Sequence, residues 1–241
     1  MTSRLDSVCF DANDPLLLAR FWAGGLRWDI DDEDQDVIEL VPTDGTRFGI
    51  LFLRAPNEKT GANRTHLELT TTSLEDQRET VETLLELGGR HLDIGQGPDA
   101  QHVVLADPEG NELCVIEPTN PFLAGCPRLG NVNGDGTQAV GYFWSAALGW
   151  PLVWDQDQET AIQAPDGTGP KMAWGGPPIP PKHSKNRIHL DIRPTDGDQA
   201  AEVDRLISLG AARADIGQGD VAWEVMVDPD GNEFCVLKPP A

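Results

Sequence analysis

One segment occurs twice in this chain. DPEGNELCVIEP runs from Asp107 to Pro118, and the near-identical DPDGNEFCVLKP runs from Asp228 to Pro239. The pair is one landmark among several. Phe21–Trp22 returns as Phe143–Trp144 and Trp28 as Trp150, both 122 residues later. NRTHLEL from Asn63 returns as NRIHLDI from Asn186, and DIGQG from Asp93 returns from Asp215. Matched landmarks in one order indicate duplication. A period of about 120 residues is far longer than a solenoid unit, so each copy is expected to be a domain. The Pro- and Gly-rich stretch TNPFLAGCPRLGN, residues 119–131, marks the boundary. The expected domains are residues 1–118 and 126–241, with 119–131 as linker and start of the second copy.

Local signals give the content of each copy. Asp14-Pro15 supplies an N-cap and a first-turn proline, and LLLARFWAGGL reads as a short helix ended by Gly24-Gly25. Ser73 and Asp76 form a second helix start. Leu74, Val81, Leu84 and Leu85 then share a face, and Gly88 closes the helix. Val203, Leu206, Ile207 and Gly210 repeat this in the second copy. RLDSVCF, DVIELV, RFGILFL, RTHLELT, HVVLA and ELCVIE alternate as strands. Each half-copy thus reads βαβββ, and the chain holds four such units in an α+β architecture.

Lys and Arg number 18 against 40 Asp and Glu, a net charge of −22. Such a chain repels phosphate backbones and anionic lipid, which argues against nucleic-acid and membrane partners. Four scattered cysteines, Cys9, Cys114, Cys126 and Cys235, with no CxxC pair, suit a reduced cytoplasmic protein rather than a disulfide framework or zinc ribbon. The N-terminus shows no signal peptide, and no stretch has the length of a membrane span.

The βαβββ order, the FW of the first helix, HLEL/HLDI opening each second half and DPxGNE[LF]CV closing it resemble the glyoxalase-like domains of the vicinal oxygen chelate superfamily. That group includes glyoxalase I, bleomycin-resistance proteins and extradiol dioxygenases. The resemblance covers nearly the whole chain, twice. It implies paired βαβββ modules whose mixed sheet forms a cup around a small-molecule pocket, with helices outside. It also implies, in metal-using members, four His or carboxylate ligands on inward strand positions. Carried onto this chain, those positions fall on Ser7, a site near Phe52, His66 and Cys114. In the second copy they fall on Arg128 or Leu129, Ala173 or Trp174, His189 and Cys235. One match in four per copy does not support the usual metal site.

Strand parity adds a reading independent of the family. Leu67 and Leu69 should pack on a helix, leaving Arg64, His66, Glu68 and Thr70 opposite. Ile188, Leu190 and Ile192 likewise leave Arg187, His189, Asp191 and Arg193. Glu112, Cys114 and Ile116 share one face of ELCVIE, and Ser7 and Cys9 join the polar set. The candidate pocket residues are therefore Ser7, Cys9, Phe52, His66, Glu68, Glu112, Cys114, Trp174, His189, Asp191, Glu233 and Cys235. His66 and His189 are the candidate catalytic groups.

Simpler roles stand beside these. DPxGN is a turn, a strand cysteine is a small core residue, and Glu112 and Glu233 can accept backbone donors at the turn. Trp174 and Trp223 either pack in the core or line an aromatic second pocket. No cofactor is expected. A divalent metal, were one bound, would use His66, Glu112 and Cys114 or His189, Glu233 and Cys235. The expected function is metal-independent binding of a small organic molecule by a monomer or homodimer. The alternatives are a lyase, isomerase or dioxygenase with a non-standard metal set or His–carboxylate chemistry, and a scaffold module.

Overall fold

The computed structural model describes residues 2–31, 34–55 and 58–239. The first module contains β1 (Ser3–Ala12), α1 (Pro15–Leu26), β2 (Asp29–Asp31), β3 (Val37–Val41) and β4 (Gly49–Arg54). The second contains β5 (Thr65–Leu69), α2 (Leu74–Glu86), β6 (Arg90–His91), β7 (Val103–Ala106) and β8 (Glu112–Val115). The third contains β9 (Leu129–Gly134), α3 (Gln138–Leu148), β10 (Leu152–Gln156), β11 (Glu159–Ile162) and β12 (Lys171–Trp174). The fourth contains β13 (Ile188–Pro194), α4 (Gln199–Ser208), β14 (Ala212–Arg213), β15 (Glu224–Val227) and β16 (Glu233–Val236).

Two eight-stranded mixed sheets result. Sheet A has the order β14-β15-β16-β13-β1-β4-β3-β2, and sheet B the order β10-β11-β12-β9-β5-β8-β7-β6. β1 pairs antiparallel with β13, and β5 with β9. Each sheet therefore joins one module from each copy. Within a copy the two modules meet instead through helices and turns, with α1 packed on α2.

Helix contact explains one departure from the sequence reading. Gly24 and Gly25 do not end α1; they lie inside it, and Arg27 in left-handed conformation closes it. A Cβ on Gly24 would lie 2.3 Å from Leu87 Cδ1, and one on Gly25 3.0 Å from Leu69 and Leu84. The glycines let the helices approach. α2 starts at Ser73, whose hydroxyl accepts from Asp76 N–H at 3.0 Å. Leu84 is buried as expected, but Leu74, in the first turn, is 68% exposed.

The repeated motifs meet at the DPxGN turns. Asp107 Oδ1 accepts from the Glu109 and Asn111 N–H groups, both at 2.9 Å. Its Oδ2 accepts from Asn111 Nδ2 at 2.8 Å and from Trp22 Nε1 at 3.1 Å. Gly110, at φ +90, supplies the left-handed step of the turn. Asp228 is held the same way, with Trp144 Nε1 at 3.4 Å. The residue after the proline caps a helix of the same copy. Glu109 accepts from the Asn13 and Asp14 N–H groups, and Asp230 from Thr137. The arginines of the NRxH motifs cross to the other copy: Arg187 pairs with Glu109 at 2.6 Å, and Arg64 donates to Asp230 O and Asn232 Oδ1.

Among the described residues no helix is long and apolar enough to cross a membrane. Burial raises the Asp107 carboxyl pKa in spite of its four donors. Removing that carboxylate strands two turn amides and an indole N–H, so Asp107→Ala is expected to cost about 2–4 kcal/mol in denaturant unfolding. A loss under about 1 kcal/mol would show that the turn is not a structural centre.

Candidate functional site

The inward positions of the two sheets correspond one to one. In sheet A, Ser7 stands opposite Asp191 and Cys9 opposite His189, with Cys235 beside Asp191 on the next strand. In sheet B, Asn131 stands opposite Glu68 and Asn133 opposite His66, with Cys114 beside Glu68. On the strand next to the first, Leu51 lies beside Cys9 and Ala173 beside Asn133. Strand parity thus brings together Ser7, Cys9, His189, Asp191 and Cys235 in one cup, and His66, Glu68 and Cys114 in the other.

Five expected positions are placed differently. Phe52 pairs with Phe10, ring centroids 5.3 Å apart, in the core shared with α1; Leu51 takes the cup side. Glu112 accepts from Lys59 Nζ at 2.6 Å and Asn63 N–H at 3.2 Å. Glu233 is held alike by Lys182 and by Asn186 N–H. These glutamates tie the segment before each second module to the turn, and Glu68 and Asp191 supply the carboxylates beside the histidines. Arg128 buttresses α2, donating to Asp76 at 3.1 Å and to the Gly25 and Thr70 carbonyls. Asn131 and Asn133 are the inward residues of β9. Their signal was the alternation in LGNVNG, hidden because the match to the first copy slips there by two residues. Trp174, the counterpart of Phe52, is on the face opposite Ala173 and packs in the core, and Trp223 is exposed.

Sheet B holds a cavity of about 370 Å³. Glu68, Cys114, Asn131 and Asn133 form its polar base, and Phe122 and Trp154 its aromatic wall. Phe122 and Leu123 come from the stretch read as a linker. Phe122 meets Trp154 edge-on at 6.0 Å and lies under Lys171 Nζ at 4.4 Å. The room has a simple source. Where sheet A carries Leu51 and Leu53, sheet B carries Ala173 and Gly175. Every member of the sheet A cluster is less than a tenth exposed, while the His66 side chain is 27% exposed.

The two clusters also hold their histidines in opposite protonation states. Burial pulls His66 down, but its hydrogen bonds with Cys114 and Glu68 outweigh this and raise it to about 10. Burial likewise opposes ionisation of Glu68, yet His66 and the amides of Asn131 and Asn133, each at 3.1 Å, lower its pKa. In sheet A, burial and the Lys185 charge lower His189 to about 3. Burial raises Asp191 to about 6 against the Cys9 and Cys235 hydrogen bonds. Burial and the Asp191 charge push both thiols up. Ser7 and Cys9 replace the two amides that steady Glu68, and that substitution separates the sites.

The donor atoms decide how a cation would fit. Cys9, His189 and Asp191 present theirs within 4.8 Å of one another, and His189 Nδ1 and Asp191 Oδ1 are buried without a hydrogen-bond partner. This thiol, imidazole and carboxylate set suits a borderline-soft ion in closed, structural surroundings. In sheet B, His66, Glu68 and Cys114 present theirs within the same 4.8 Å, and both Glu68 oxygens accept amide N–H groups; of the four ligand positions the resemblance implies, His66 alone is a usual ligand type.

The His66–Glu68 pair has a pH signature. His66 is raised above its ordinary 6.5, so its stabilisation is full below that pH and is lost as pH rises toward 10. Glu68 is lowered, so its share is lost as pH falls through 4.5 and below. The stability gap between the unaltered chain and His66→Gln should therefore be widest between pH 4.5 and 6.5 and shrink toward pH 10. A gap equal at both ends of the alkaline range would contradict this assignment.

Comparison with known proteins agrees with this architecture. The chain spans 98% of itself and 92% of glyoxalase I from Zea mays, at 14% identity and a TM-score of 0.66. Against a putative dioxygenase from Bacillus subtilis it covers 99% of itself and 86% of that chain, at 14% identity and a TM-score of 0.62. These likenesses concern the fold. No curated protein matches the chain. The model of the glyoxalase-like domain matches twice, over residues 7–116 and 131–237. The chain is therefore a tandem member of the glyoxalase-like domain family, within the vicinal oxygen chelate superfamily.

Proposed function

We propose that this chain binds a small organic molecule in the cup of sheet B, and that protein groups hold it there without a bound metal. One observation carries the reading. Sheet B keeps a cavity of about 370 Å³, where every member of the sheet A cluster is less than a tenth exposed. The Glu68 carboxylate and the amides of Asn131 and Asn133 line its base, and acceptor oxygens there call for a donor. Phe122 and Trp154 offer flat apolar surface above them. The ligand that complements these groups is a compact ring compound carrying an N–H or O–H.

The four modules complete both sheets within one chain, so the reading needs no second copy. The four cysteines are free thiols, which suits the cytoplasm. Sheet A serves in this account as the structural half of the molecule.

The test is tryptophan fluorescence and thermal shift against a panel of small ring compounds, matched in pairs with and without a hydrogen-bond donor. Binding should favour the donor-bearing member and persist in EDTA. Ala173→Leu, which copies the Leu51 of the other cup, should abolish binding with the fold intact. Trp154→Ala should weaken binding about tenfold or more. Binding that vanishes with EDTA, or that survives Ala173→Leu unchanged, would sink the reading.

A further inference from the structure

Cys114, His66 and Glu68 form a chain of groups at the base of the sheet B cup. Their ligating atoms all lie within 4.8 Å of one another. His66 Nε2 lies 3.5 Å from Glu68 Oε1, and the Cys114 Sγ lies within 4.8 Å of both residues' ligating atoms. Glu68 is itself fixed by Asn131 and Asn133. A thiol, an imidazole within reach of it and a carboxylate orienting the imidazole are the parts of an activated nucleophile. Cys114 also lines the cavity, in the apolar cluster against which Phe122 packs.

We propose that Cys114 is a nucleophile that captures a soft carbon electrophile entering this cup, with His66 carrying the proton and Glu68 positioning His66. The inference rests on the cup being a small-molecule site. The fitting electrophile is an alkene conjugated to a carbonyl, whose flat π system matches Phe122 and Trp154. As the sulfur bonds to the β-carbon, the alkene π bond breaks and its electrons pass to the α-carbon. That carbon takes a proton from the His66 imidazolium, and the imidazole recovers one from the breaking Cys114 S–H bond. The net change is addition of S–H across the double bond, with no oxidant, reductant or leaving group. Each chain consumes one equivalent.

The molecule contains its own controls. Cys235, His189 and Asp191 are the matching thiol, imidazole and carboxylate of sheet A; Cys235 and Cys114 are equally buried, but His189 is closed off where His66 is partly open. Cys126 is half-buried, more open than Cys114, but stands outside either cluster. Exposure alone ranks Cys126 as the faster thiol; the proposed chain of groups ranks Cys114 first.

The experiment treats the full chain with limiting N-ethylmaleimide and follows each cysteine by peptide mapping. Cys114 should be labelled about tenfold faster than Cys126 or more, with Cys9 and Cys235 protected. His66→Gln should slow Cys114 by about tenfold or more and leave Cys126 unchanged, which also reports that the variant is folded. Faster labelling of Cys126 than Cys114 in the unaltered chain would overturn the proposal without reference to any variant. So would stoichiometric zinc in the purified protein with Cys114 reactive only after chelation. Ring-compound binding that persists with an unreactive Cys114 would leave the binding reading standing and remove this one. A reactive Cys114 in a chain that binds none of the panel would do the reverse.

Discussion

A buried carboxylate at each DPxGN turn is the constraint on which the rest of the molecule hangs. Asp107 and Asp228 are removed from water and depend on turn amides and a tryptophan indole for their hydrogen bonds. This dependence couples elements far apart in sequence. The turn fixes the tryptophan, the tryptophan fixes the first helix of its copy, and the residue after the proline caps that helix. Arg64 and Arg187 then carry the connection to the opposite copy. The FW, NRxH and DPxGN motifs recur together because they are parts of one hydrogen-bonded knot, made twice.

With the frame held, a few inward side chains are enough to separate the two cups. Leu51 and Leu53 take up space on sheet A that Ala173 and Gly175 leave open on sheet B. Cys9 and Cys235 give Asp191 weak partners, and its proton is retained to a higher pH. Asn131 and Asn133 give Glu68 two good ones, so it stays ionised and holds His66 as a cation. Low dielectric magnifies each choice, since an ion that finds no partner there is discharged instead. Duplication supplied two equivalent cups. Their divergence is one of volume and proton state on a shared plan.

Much of this was legible in the chain. The duplication, the four βαβββ modules and the face on which His66, Glu68 and Cys114 lie all follow from motif spacing and period-two alternation. The partner of each module did not. Both pairings bury the same apolar faces, and the choice is made by long-range contacts such as Arg187 with Glu109 that no local pattern reveals. Phe52 was misplaced because a one-residue error in register flips a side chain to the other face. Glu112 shares the parity of Cys114, but Lys59, brought in from a loop, claims it. Phe122 and Leu123 look like linker residues until the chain folds and the linker becomes a cavity wall.

The central claim is that two matching cups hold their histidines in opposite states. Histidine-selective nitrogen NMR on the full chain, with His66→Gln and His189→Gln used to assign the resonances, measures this directly. The account predicts that His66 remains an imidazolium well above its ordinary pKa of 6.5, with a midpoint near 10, and that His189 remains neutral well below it, with a midpoint near 3. Two histidines that both titrate near 6.5 would contradict it.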